Sequence, residues 1–283
     1  MKKIDGRLVA KERKQNMLSR IKILMDRGIE PKGLIIEIGD DEASKIYLRQ
    51  KEKQAQSLGI LVERLWLPSS VSQKDLSDII QKANEDDGIH GIIVQFPIPK
   101  HLDEAVVSQM IDPKKDIDGF HPEVLGRSVK RDDSMLACTP RAVLDLLDYY
   151  HISLEGKNVV VIGQSEIVGR PMAIAALNRS ATITICHRLT KNIKYYTENA
   201  DVIIAAAGSP GLVNASMVKD NAVLIDVGIT RLANGKISGD ITDEAKEKAS
   251  YATPVPGGVG PMTVSVLMEH IIFSAENSSS LNS

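Results

Sequence analysis

Cysteine is scarce in this chain: Cys138 and Cys186 are the only two among 283 residues. A disulfide scaffold does not fit so few, and a reducing compartment is the natural expectation. An excess of one charge is missing too. Lysine and arginine number 35 against 37 aspartates and glutamates, a formal net charge of −2. No basic surplus therefore advertises nucleic acid or an anionic membrane. Long apolar runs are absent: Val202 to Ala207 is the longest beside a strand signal, far short of the roughly 20 residues of a membrane span. The opening MKKIDGRLVAKERKQNML carries charges where a signal peptide has its apolar stretch. No Cys/His/Glu cluster stands at metal spacing, so no metal site is expected. There is no G-x-S-x-G elbow and no Walker loop. What remains is a cytosolic globular protein, 43% apolar and 25% charged, whose length favours two domains.

Strand and helix signals alternate in two series. In the first, Leu8, Leu18, Ile21 and Leu24 recur at helical spacing between Asp5 and Arg27, and Gly28 with Pro31 ends that helix. A buried strand is predicted at Gly33–Gly39, a helix at Ser44–Leu58, a strand at Ile60–Leu67, a helix at Leu76–Glu85 and a short strand at Gly91–Gln95. Pro97, Pro99 and the Asp/Gly/Pro-rich segment Asp112–Pro122 mark a domain boundary. Pro140–Tyr150 reads as a helix with proline in its first turn. The second series has four apolar strands: Asn158–Ile162, Thr182–Cys186, Asp201–Ala206 and Ala222–Asp226. Thr253–Pro261 reads as a loop, Thr263–Ala275 as a final helix and SAENSSSLNS as a frayed tail. Such alternation predicts an α/β chain with parallel sheets and right-handed crossovers.

The strongest local signal is VVVIGQSEIVGRP, residues 159–171, in which an apolar strand runs into Gly163-x-Ser165-x-x-x-Gly169 and Pro171 opens a helix. Glycine lets backbone approach a phosphate, and a helix N-terminus offers free N–H groups and the positive dipole end. Relative to the dinucleotide fingerprint, Ser165 takes the middle glycine and the last glycine comes one residue late. A turn of pure packing value would carry the same glycines. An NAD enzyme places an acid about 20 residues on, for the ribose hydroxyl. Ile185-Cys-His-Arg-Leu-Thr190 has none. Arg188 instead offers a cation to a 2′-phosphate, which favours NADP over NAD.

In the first series Tyr47 and Lys51 are four apart and share a helix face, continued by Ala55 and Leu58. A lysine on that stripe is partly desolvated and suited to proton transfer, or it snorkels to solvent beside a core tyrosine. Gln95 ends a parallel strand, where ligands of open α/β sheets bind. Asp116 and Asp118 flank Ile117, and turn capping alone accounts for both. His101 and His121 read as no metal site. Cys138, before Thr139-Pro140, reads as packing.

Six runs occur together in one order: Ser44-x-x-Tyr47-x-x-x-Lys51, Val94-Gln-Phe-Pro-Ile-Pro99, Lys115-Asp-Ile-Asp-Gly-Phe-His-Pro122, Cys138-Thr-Pro140, the Gly163 turn, and Thr253-Pro-Val-Pro-Gly-Gly-Val-Gly-Pro-Met-Thr263. Across nearly the whole chain this resembles the FolD family, the bifunctional methylenetetrahydrofolate dehydrogenase/cyclohydrolases. The resemblance implies a folate-binding catalytic domain over residues 1–122 plus 262–283, a Rossmann-like NADP-binding domain over 123–261, and a cleft between them. It implies that Tyr47 stacks on a tetrahydrofolate substrate and that Lys51, Gln95 and Asp118 complete the catalytic and substrate-binding set. Pro256, Gly257 and Gly258 are expected near folate and nicotinamide. Thr139, Gly163, Gln164, Ser165, Ile167, Val168, His187, Arg188, Ala207, Gly208 and Ile229 are expected around NADP. A homodimer through the nucleotide domain, a cytoplasmic place and a role in one-carbon metabolism and purine biosynthesis are also implied.

Some positions depart from the family pattern. Gln164 stands where many members have an arginine that touches the 2′-phosphate, Ala137 replaces a common proline, and Ala142 a common glycine. Two other readings stay open. One is a different two-domain oxidoreductase, such as a shikimate-dehydrogenase-like protein, against which Tyr47-x-x-x-Lys51 and the Pro254 loop argue. The other is a folate- or nucleotide-binding regulator with a dead site, which loss of Lys51 or Asp118 would have supported.

Overall fold

The computed structural model describes residues 1–40 and 42–278, and the side chains of residues 42–47 lie outside that description. The chain divides into two compact units, Glu12–Gly126 with Val264–Ser283, and Met1–Lys11 with Arg127–Thr263. Its elements open with β1 (Lys2–Lys3) and α1 (Gly6–Asp26).

The first unit continues with β2 (Lys32–Ile38), α2 (Glu42–Leu58), β3 (Leu61–Leu67), α3 (Gln73–Glu85), β4 (Gly91–Val94) and α4 (Glu104–Met110), and α5 (Pro122–Val129) begins in it. Its sheet has the order β3-β2-β4, all parallel, with Ile36 opposite both Leu65 and Val94. Alternate residues of β2 share a face. Leu34, Ile36 and Ile38 meet Leu76 and Ile80 of α3 and Val107 of α4 in one buried cluster. Helix α3 starts where Ser72 Oγ accepts the Asp75 N–H at 3.1 Å. Its inward Leu76, Ile80 and Ala83 follow the helical period. The sequence shows no period for α4, whose single buried residue is Val107. Its start is fixed instead by Asp103, which accepts from Ala105 and Val106 N–H.

The second unit holds α6 (Cys138–Tyr149), β5 (Asn158–Ile162), α7 (Gly169–Asn178), β6 (Thr182–Cys186), α8 (Ile193–Thr197), β7 (Val202–Ala205), β8 (Val223–Asp226), β9 (Thr230–Arg231), β10 (Ile237–Ser238), α9 (Asp243–Lys248) and β11 (Tyr251–Ala252). Strands β9 and β10 form a separate antiparallel pair. The main sheet has the order β1-β11-β8-β7-β5-β6, all parallel. The four expected strands form its consecutive β8-β7-β5-β6 run, with β6 at the outer edge. Every residue of β7 and β8 is buried, the near-continuous apolar pattern of a sheet covered on both faces. Two-residue β1 and β11, too short to carry a period, extend it through pairs 249 residues apart such as Lys2 with Tyr251.

The last helix, α10 (Val259–Ser278), differs from expectation at both ends. It begins four residues early because Pro261 lies in the first turn, where a missing N–H costs nothing. At the far end Ser274–Ser278, expected to fray, are helical; residues 279–283 lie outside the described set. Within the first unit Arg20 reaches α10 with a two-pronged pair to Glu276 (2.8 and 2.6 Å) and holds Glu269 as well. Among the described residues no helix is long and apolar enough to cross a membrane.

Candidate active site

Parallel strands bring all their carboxyl ends to one edge. In the second unit that edge carries Gly163 after β5, His187 after β6, Ala206 after β7, Val227 after β8 and Thr253 after β11. The chain steps from β5 to β6 on one side, then crosses back to β7 on the other. Such a reversal is where dinucleotides bind.

Gly163 has φ +130, and a Cβ there would fall 2.3 Å from Ala206 O. Only glycine lets the two loops close at this point. Gln164, Ser165 and Ile167 are exposed beyond it, and Val168 is half-buried. The free N–H groups expected at the α7 N-terminus are already engaged. Ser165 Oγ accepts from Val168 (3.2 Å) and Gly169 (3.4 Å), and Ser165 O accepts from Arg170 (3.0 Å). An anion here therefore meets the exposed 164–167 loop before the helix end.

After β6, His187 and Thr190 close a tight turn: Thr190 N donates to His187 O (2.8 Å) and His187 N to Thr190 Oγ1 (2.9 Å). Arg188 sits exposed on that turn. Its guanidinium has no partner among the described residues, and with no acid between 185 and 190 it fits a nucleotide bearing an extra phosphate. Thr139 is half-buried in the first turn of α6, and Ile229 is 44% exposed just after β8. Ala207 and Gly208 follow β7, with their N–H groups held by Asp240. In the loop after β11, Pro256 is exposed, whereas Gly257 and Gly258 are buried; Gly257 O accepts from Gly6 N (3.0 Å) and Gly258 N donates to Pro254 O (2.9 Å).

In the first unit Lys51 is half-buried on the face of α2 whose Ala55 and Leu58 are fully buried. Its Nζ donates to Gln95 Oε1 at 3.0 Å. Gln95 is fixed in turn: its backbone N–H donates to Ile36 O (2.8 Å), one rung past β4, and its Nε2 to Phe96 O (2.8 Å). Tyr47 belongs to α2, one turn before Lys51, and its side chain lies outside the described residues.

Asp118 is half-buried and, with Asp116, Phe96 and Phe120, lines a small cavity beside β4. Its carboxylate accepts no hydrogen bond among the described residues. The segment that carries it is a sheet neighbour, since Ile92 pairs with Asp116 in a parallel bridge and donates to Lys115 O. Lys115 Nζ caps the C-terminal end of α3 through Ala83, Asn84 and Asp86 carbonyls. From α10, Ser274 Oγ donates to Lys114 O and His270 Nδ1 lies 2.8 Å from Ile117 O.

Turn chemistry alone reads Asp116 and Asp118 alike, and only the family resemblance singles out Asp118; burial separates them. Asp116 is 2% exposed and accepts from Gly119 N (3.1 Å) and His121 N (2.6 Å), so it shapes the turn that presents Asp118. Burial pushes its carboxyl up to about 6, against the pull of those N–H groups. His101 and His121 serve locally: His101 Nε2 lies 2.9 Å from Val71 O, and His121 Nδ1 accepts from Glu123 N. Both cysteines are buried.

Two family models match the chain: the tetrahydrofolate dehydrogenase/cyclohydrolase catalytic domain over residues 4–118, and the NAD(P)-binding domain of the same enzymes over residues 137–279. The bifunctional protein FolD of Campylobacter concisus is 46% identical over 277 residues, 98% of each chain. The FolD crystal structure from Campylobacter jejuni superposes with a TM-score of 0.96 at 42% identity, over 98% of this chain and 99% of the other. The Trypanosoma brucei FolD structure, itself complexed with NADP and an inhibitor, gives 0.94 at 36% identity over 98% of each. With matches of this extent over both units, the chain belongs to the FolD family of tetrahydrofolate dehydrogenase/cyclohydrolases.

Proposed function

We propose that this chain oxidises 5,10-methylenetetrahydrofolate to 5,10-methenyltetrahydrofolate with NADP, then hydrolyses that product to 10-formyltetrahydrofolate in one site. The observation that carries the reading is the Lys51 amine held on Gln95 at 3.0 Å at the carboxyl end of β4. NADP, when bound, supplies the acceptor for a hydride from the carbon bridging N5 and N10. Loss of that hydride leaves a cation shared by two nitrogens and moves no proton, so the protein's task there is alignment.

Hydrolysis is different. Water adds to the cationic carbon and gives up one proton; the other water proton passes to N5 as the carbon–N5 bond opens, and N10 keeps the formyl group. We assign the proton to Lys51. A neutral amine can donate one N–H to Gln95 and still present its lone pair to the attacking water. We assign Asp118 to the amino-pyrimidine edge of the pterin, which offers a carboxylate two donors, and Tyr47 to stacking on the folate. Pro256, Gly257 and Gly258 are assigned to the substrate side of the cofactor loop. Thr139, the 163–168 loop, His187, Arg188, Ala207, Gly208 and Ile229 are assigned to NADP, with Arg188 on its 2′-phosphate.

We also read the chain as a cytoplasmic homodimer that makes a one-carbon donor for purine biosynthesis. The open outer edge of β6, where Ile185 is 40% exposed, supports pairing through the second unit. The test of the reaction is direct. Methylenetetrahydrofolate and NADP should yield NADPH, and methenyltetrahydrofolate supplied alone should be hydrolysed faster than without protein. No NADPH, or hydrolysis only at the uncatalysed rate, would refute the reading.

A further inference from the structure

The fully buried carboxylate of Asp240 holds a loop 33 residues upstream. Its Oδ2 accepts from Ala207 N (2.6 Å) and Gly208 N (3.0 Å), and its Oδ1 from Ser209 N (2.7 Å). Successive backbone N–H groups converging on one point form an anion-holding nest. Here the chain's own carboxylate fills it, and Gly208 at φ +62 supplies the left-handed residue.

Asp240 is itself locked. Its N–H donates to Asp226 Oδ1 (2.8 Å), Ile241 N donates to Asp226 Oδ2 (3.2 Å), and Lys246 Nζ lies 2.9 Å from the same oxygen. The Asp226 N–H donates to Thr253 Oγ1 (2.7 Å), the first residue of the 253–258 loop. Two close approaches demand glycine: a Cβ on Gly228 would fall 2.4 Å from Asp240, and one on Gly239 2.1 Å from Asp226. Burying two carboxylates is costly unless each is fully bonded, and this network ties the loops after β7, β8 and β11 into one rigid edge.

The halves of a dinucleotide lie on opposite sides of the strand-order reversal. Arg188 after β6 marks the adenosine side, so the loops after β7 and β11 face the nicotinamide half. We propose that Asp240, locked by Asp226 and Lys246, is a positioning residue for the nicotinamide half of NADP. It turns the N–H groups of Ala207, Gly208 and Ser209 inward, while Gly208 O accepts from Thr230 Oγ1 (3.5 Å) and Ser209 O from Leu212 N (3.2 Å), so the Ala207 carbonyl and the Cα face of the loop are held toward the cofactor. This inference rests on the dehydrogenase reading above.

Asp240→Asn replaces one acceptor oxygen with an amide that opposes an N–H donor. NADPH binding, followed by its fluorescence without folate, should weaken by roughly 10- to 100-fold. The KM for NADP should rise, while hydrolysis of supplied methenyltetrahydrofolate, which uses no nicotinamide, stays undiminished. Lys246→Met leaves all three loop bonds in place and should show the same pattern at smaller size; it carries the test should Asp240→Asn not fold. Unchanged cofactor binding, or equal loss of both activities in the folded variants, overturns the proposal. A parent chain that reduces no NADP would instead refute the dehydrogenase reading.

Discussion

Lys51 Nζ and Gln95 Oε1 meet at 3.0 Å although 44 residues separate them in the chain. The amine is therefore aimed by a residue that is itself fixed twice, by its backbone N–H to Ile36 O and by its side-chain amide to Phe96 O. Removing the acceptor should cost the aim without removing the amine. A hydrogen bond between neutral groups contributes about 0.5–1.5 kcal/mol, so Gln95→Ala should slow hydrolysis by roughly 2- to 10-fold. Single-turnover hydrolysis of methenyltetrahydrofolate checks this. A rate equal to the parent's would remove Gln95 from the mechanism.

The turn made by Asp116 predicts a pH effect. Its folded-state pKa of about 6 stands above the ordinary 3.8. The folded chain thus holds the proton more tightly between those values, and this group's contribution to stability falls as pH rises from 3.8 to about 6, then stays level. Below about 6 the carboxyl carries a proton and loses acceptor capacity toward Gly119 and His121 N–H. The turn presenting Asp118 then loosens. KM for the folate should rise as pH falls through about 6 while KM for NADP stays level. Asp116→Asn should fix the folate KM near its low-pH value. A folate KM independent of pH in the parent contradicts this.

Arg188 should decide cofactor choice. It is exposed on the turn after β6 with no acid beside it. Arg188→Ala should lower kcat/KM for NADP by roughly 10- to 100-fold and leave NAD nearly unaffected, since one charge-assisted contact to the 2′-phosphate is lost. With Gln164 in place of an arginine, no second cation is expected to make up the loss. Equal losses with both cofactors would assign Arg188 to the fold.

The nucleotide edge was readable because its parts are local. Asn158–Ile162 is an apolar run that ends in Gly163, and Arg188 follows Cys186 at the end of the next such run. Helix spacing shows only that Lys51 and Tyr47 share a face; their assignment to the site comes from the family resemblance, and the Tyr47 side chain lies outside the described residues. What escaped depends on distant contacts. β1 and β11 exist only as partners of each other and of β8. Asp240 sits in a Ser-Gly-Asp stretch that looks like any turn, and only the folded chain brings it under Ala207. Asp116 and Asp118 have like neighbours in sequence; the first is buried beside its bridge to Ile92, while the second stays half-buried.

The central claim is that one amine serves the second step and not the first. Lys51→Met keeps the length and apolar packing of the stem and deletes the amine. General acid–base assistance is worth about 10²- to 10⁴-fold. The measurement is the rate of each step in folded Lys51→Met protein, with methenyltetrahydrofolate supplied directly for the second. Hydrolysis should fall by that factor, hydride transfer should fall less, and methenyltetrahydrofolate should accumulate during turnover. Undiminished hydrolysis in that variant would contradict the account and return Lys51 to a lysine that merely reaches solvent.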